Sequence, residues 1–183
     1  MATDIDLCSN ALLLIGDDVI TSFTDAGAGA KVASNLYESS YENILSLHRW
    51  RFAVGKIQLS QLVSTPVNQF KYAYQLPADL LTMIRTYPDS DYEIYEDKLY
   101  SNHSSVEIDY VFKPDESKLP AYFIKLMEFY LASQFAIPVT DNTSKAEQYN
   151  AMFEEQLKRA RFLDSQGRPG DPVTSSPLVD VRG

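Results

Sequence analysis

One cysteine, Cys8, stands in the 183-residue chain. Alone it cannot close an internal disulfide. The two histidines, His48 and His103, lie at unrelated spacings, so no zinc site can be built around it either. A reducing, intracellular compartment is the expectation. Positive charge is also scarce: 16 Lys and Arg face 25 Asp and Glu, for a formal charge of −9 and a pI of about 4.6. Such a surface repels phosphate backbones and anionic membranes, which argues against sequence-specific DNA recognition. Glycines number seven, and no phosphate loop, nucleophile elbow or dinucleotide fingerprint is present. The opening "MATDIDLCSNALLLIG" has no basic region ahead of an apolar one, so a signal peptide is not expected. The most apolar stretch, "YFIKLMEFYLASQFAIPV", is broken by Lys125, Glu128 and Gln134 and reads as a buried helix, not a membrane span.

What remains is the composition of one globular domain with an unusual supply of tyrosine, 12 residues. Ile5, Cys8, Leu12 and Ile15 recur at helical spacing behind Thr3, a candidate cap, with Asp4 and Asp6 in the first turn and Gly16 just past the end; a helix over 4–15 is expected. Ala30, Ala33, Tyr37, Tyr41, Ile44 and His48 predict a second helix over about 26–52. Its small residues, Ala30 and Ala33, mark a place where another backbone can approach, and they are the candidate subunit interface together with exposed parts of the strands. From about 56 to 112 the period shortens. "FKYAYQLP", "DLLTMIRTYP", "YEIYEDKLYS" and "SVEIDYVFKP" read as strands, the last with Val106, Ile108, Tyr110 and Phe112 on one face and Glu107 and Asp109 on a solvated one. Helical spacing returns over about 120–136 and 144–165, the latter with Ser144 and Glu147 at capping-box spacing and Lys158, Arg159 and Arg161 near its end. Residues 167–183 have three prolines and no period, an extended C-terminal tail. The fold class is α+β: a bundle of about four helices in a domain over 1–166, interrupted in sequence by an inserted antiparallel β block.

Candidate chemistry is thin. Gly16-Asp17-Asp18 has the look of a polymerase metal site, but no further carboxylates are identifiable to complete magnesium coordination, and a helix end explains the triplet. Cys8 reads as core packing rather than a nucleophile, although His48 could approach it. His48, Arg49, Trp50 and Arg51 combine aromatic and basic residues, yet two arginines in an acidic chain suit a helix C-terminus better than nucleic acid. "DNTSKAEQYNAM" lacks the oxygen ligand and glycine of a calcium loop, with Lys145 and Ala146 in their places. Glu154, Glu155 and Asp79 are dispersed carboxylates of the kind found on solvated faces. No catalytic residue, metal site or cofactor is expected.

The order of segments carries more information than any one of them. "ALLLIG", "YENILSLHRWRFA", "YAYQLPADLL", "VEIDYVF", and the pair "LPAYFIKLMEFYLASQFAIPVT" and "AEQYNAMFEEQLKRARFLD" together resemble the tail tubular protein A adaptors of short-tailed bacteriophages, over roughly residues 4–165. The resemblance implies a non-enzymatic head-to-tail connector of the virion, made in the host cytoplasm. It implies a ring of twelve copies that docks under the portal protein, carries the tail nozzle, a tail tubular protein B-like partner, and passes double-stranded DNA during genome ejection. In that setting acidic side chains, Glu38, Glu42, Glu154 or Glu155 among them, would line the channel and let phosphates slide. The tail lies beyond the resemblance. Its Pro172, Val173, Pro177, Leu178, Val179, Val181 and Arg182 form a candidate peptide for docking on the portal or a neighbouring subunit, since prolines lower the entropy lost on binding. The alternatives are a carboxylate-dependent polysaccharide hydrolase of the phage tail and a cytosolic interaction module.

Overall fold

The computed structural model describes residues 2–64, 66, 67 and 69–166. Two helices, α1 (Asp4–Ile15) and α2 (Ala28–Ser46), precede seven strands: β1 (Val54–Gln58), β2 (Ser60–Gln61), β3 (Tyr72–Gln75), β4 (Leu80–Tyr87), β5 (Tyr92–Tyr95), β6 (Lys98–Ser101) and β7 (Glu107–Phe112). Two helices, α3 (Ala121–Thr140) and α4 (Thr143–Gln166), follow. The architecture is α+β, four helices with antiparallel sheets between the second and the third.

α1 is bounded as its sequence predicts. Thr3 accepts from Asp6 N–H while the Asp6 carboxylate accepts from Thr3 N–H, a reciprocal cap. Gly16 closes the other end in the left-handed region, φ 83°. Its N–H reaches Leu13 O at 3.1 Å and Asp17 N–H reaches Leu12 O at 3.0 Å, the paired bonds of a glycine-terminated helix. α2 stops at Ser46, six residues short of the expected Phe52, because Trp50 turns back: its indole N–H donates to Ile44 O at 2.9 Å. The reversal buries Trp50 edge-on against Phe123, with ring centroids 5.1 Å apart. α3 packs against α1, α2 and α4 and is buried around most of its circumference, as an apolar helix must be. It runs through Pro138 to Thr140 rather than ending at Ala136. The N–H missing at Pro138 leaves the carbonyl of exposed Gln134 to water, so the last turn survives. Asn142, not Ser144, caps α4, its side-chain oxygen accepting from Lys145 N–H at 2.9 Å.

The β block forms two sheets, with strand orders β1-β7-β4 and β2-β3-β6-β5. "YEIYEDKLYS" is a hairpin rather than one strand. Glu96 takes φ 55° at its turn, and the following Asp97 is held by Gln75, whose amide donates to its carboxylate at 2.9 Å, and by Leu76 N–H, which donates to its carbonyl. Leu59, Tyr74, Leu76, Leu99, Val106, Ile108 and Tyr110 form a core separate from the helical one. The far face of β7 is not simply solvated: Val111 joins the helical core, with Leu81 and Ile84 of β4 packed against it. The three-stranded sheet is therefore a partition between two cores.

Candidate functional site

The segment from His48 to Arg51 leads directly into β1, and the end of α4 folds over it. Asp164, 4% exposed, is the centre. Its carboxylate accepts from Arg51 N–H at 3.1 Å and from the Tyr122 hydroxyl at 2.7 Å, and His48 Nε2 lies 3.7 Å away. One turn earlier on α4, Arg161 Nη2 donates to Leu47 O at 3.0 Å, supplying the cation and donor for the C-terminus of α2. Arg49 and Arg51, expected in that role, point their side chains to solvent. Partial burial holds the His48 imidazole below its ordinary pKa, reinforced by Arg161 and opposed by Asp164. The Tyr122 hydroxyl is pushed well up, first by burial and then by donating to Asp164. The cluster ties α2, α3, α4 and the entry to β1 together at one point, close to the end of α4.

A second cross-tie sits at the other end of α4. Lys145 Nζ donates to Ile15 O and the Tyr149 hydroxyl to Leu14 O at 2.5 Å, so α4 supplies donors to the last carbonyls of α1. Asp17 belongs to this corner. A methyl group built on Gly29 would stand 2.6 Å from Asp17 Oδ2 and 3.0 Å from Leu12. Its carboxylate thus lies over the first turn of α2, which begins at Gly27 without a side-chain cap. Asp18 is exposed. Among the described residues no group of three or more His, Cys, Asp and Glu is placed to hold a metal ion.

Cys8 is fully buried, and burial, reinforced by Asp4, raises its thiol to about 12, a neutral core side chain at any physiological pH. His48 meets Asp164 and stacks edge-on with Trp50 at 4.9 Å. His103, in its loop, is exposed and lends its carbonyl to the Tyr74 hydroxyl. Ala30 and Ala33 are corrected as interface residues. Both have no exposed surface, because the approach that small residues permit is made within the subunit, where α1 and α2 pack in the helical core. Glu38, Glu42, Glu154 and Glu155 are exposed, on α2 and α4, with Glu38 paired to Lys113. Pro172, Val173, Pro177, Leu178, Val179, Val181 and Arg182 lie outside the described residues.

The Asp164 cluster escaped sequence reading because its members come from positions 48, 51, 122 and 164, and none has a spacing that signals the others. No protein-family model matches the chain, and no curated protein matches it.

Proposed function

We propose that the chain is a structural head-to-tail adaptor of a phage virion, a subunit of a ring between portal and tail nozzle through which the genome passes. The observation that carries the reading is the plan of the molecule: two helices, an inserted antiparallel block and two helices, the end of α4 pinned by Asp164 to the junction between bundle and β block. This is the segment order on which the resemblance to the tail tubular protein A adaptors rests. The polar residues are engaged in ties between elements rather than gathered around a cavity, which suits a part that transmits load. The acidic surface suits a conduit for DNA, since fixed phosphate contacts would hold the genome and add a salt-dependent barrier to its movement.

Electron microscopy of the particle, or of the protein mixed with portal, tests this. A closed cyclic ring under the portal is expected, each copy using two different faces. A closed dimer, or no association with portal, counts against it, and release of reducing sugars from a capsular polysaccharide by the purified chain would move the reading to the hydrolase.

A further inference from the structure

Among the described residues the sheets end in four outer strands, β1 and β4 in one and β2 and β5 in the other, and the β1 and β5 edges are opposite in charge. β1 is an outer strand of the three-stranded sheet. Leu59 N–H donates to Val106 O, so the alternation of an antiparallel ladder turns the N–H and C=O of Val54, Lys56 and Gln58 away from β7, toward the open side. Val54 and Ile57 are 38% and 41% exposed. Residues 47–62 hold Arg49, Arg51 and Lys56 and no Asp or Glu, in a chain whose net charge is −9. β5 is an outer strand of the four-stranded sheet and exposes Tyr92, Ile94 and Tyr95. Residues 89–97 around it hold Asp89, Asp91, Glu93, Glu96 and Asp97 and no Lys or Arg.

We propose that β1 of one copy pairs with β5 of a second copy, edge to edge, joining the sheets of successive subunits. Charge on an exposed edge ordinarily prevents pairing. Here it does so selectively: two β5 edges bring five acids against five, two β1 edges bring cations against cations, and the unlike pair alone is attractive. The strands match in length, five residues and four, and both expose apolar side chains that the union would cover. Because the two edges are different surfaces of one subunit, the contact is heterologous and repeats around a ring or along a filament. The inference rests on the ring reading for its setting, and of the two interface candidates it drops Ala30 and Ala33 and keeps the exposed strands of the β block.

The test is sedimentation velocity of the full chain up to about 1 mM, at about 50 mM and about 500 mM salt. The expected result is association that grows with concentration and weakens in salt. Lys56→Glu, Arg51→Glu and Glu93→Lys should each weaken it about tenfold or more, and combining Glu93→Lys with either reversal on the β1 side should restore it. Lys56 also pairs with Asp109 at 3.7 Å, whereas the Arg51 side chain is exposed and only its N–H is held by Asp164, so Arg51→Glu keeps the test sound if Lys56→Glu misfolds. Association indifferent to all three reversals would place the contact elsewhere and overturn the inference, while leaving the ring reading to the micrographs. A chain monomeric throughout the range would overturn it as well, and a ring seen on the portal would then have to close through other surfaces.

Discussion

Gly16, rather than either neighbouring aspartate, ends α1. It turns α1 off in a left-handed conformation that costs other residues about 1–2 kcal/mol, and the carbonyls left open at Leu14 and Ile15 are taken by Tyr149 and Lys145. Gly16→Val should therefore lower stability by about 1 kcal/mol or more, compounded by the Lys145 ammonium 3.3 Å from the added carbon. Asp17→Asn with Asp18→Asn should keep the fold and, on the adaptor reading, ring assembly, losing at most the favourable placement of one charge at the start of α2, a few tenths of a kcal/mol. Thermal melts of the two variants check the contrast. Specific magnesium or manganese binding by calorimetry, abolished in the double variant, would overturn the helix-end reading. The glycine, its cap and its turn were legible because all their signals are local. The residue that most needs the turn, Gly29, was not: the contact it permits is with Leu12 and Asp17, more than ten positions away.

Elements were legible where pattern and burial agree. α1 and α4 show an apolar face in sequence, α3 shows itself by being apolar nearly all round, and Asn142 displaced Ser144 as the cap by only two positions. β1 did not show itself, since an exposed edge strand has almost no buried residue to alternate with its polar ones. The hairpin turn at Glu96-Asp97 was hidden because it lacks the glycine or asparagine that marks such turns. Asp164 is the long-range tie on which the join of α4 to the rest depends. Asp164→Ala would orphan the Tyr122 hydroxyl and the Arg51 N–H, a cost of about 3 kcal/mol, whereas Tyr122→Phe removes one bond and costs about 1 kcal/mol. For a domain of this size those losses correspond to melting temperatures about 6–12 °C and about 2–4 °C lower. His48 gives the same cluster a pH dependence of known sign. Its folded pKa lies below the ordinary 6.5, so below about pH 6.5 the unfolded chain binds the proton first. The stability from neutral His48 is present above that pH and is lost as pH falls toward the folded value. Melting curves between pH 7.5 and 5 should show a decline that His48→Gln reduces. An identical decline in that variant would assign the pH dependence to other groups.

At the scale of the whole molecule, the bundle and the β block share one partition sheet, and the end of α4 lies beside the residues that enter β1. The described ties are made between residues of Thr3–Gln166, and the segment 171–183 follows them in sequence. Its sequence, "DPVTSSPLVDVRG", offers three β-branched or leucine side chains close together and one arginine behind prolines, the makings of a peptide that orders on a partner. On the adaptor reading the expected partner is the portal or an adjacent subunit, with Leu178 and Val181 expected to meet apolar surface there and Arg182 a carboxylate. Deleting residues 171–183 should leave the melting temperature of the domain nearly unchanged, because none of the described ties is touched. The same deletion should abolish retention on immobilised portal in a pull-down, with Leu178→Asp reproducing most of the loss through a single buried charge. A truncated chain held by portal as firmly as the full one would refute docking by this segment and shift the contact to the folded domain. A truncated chain that melts markedly lower would instead show the segment packed on its own subunit.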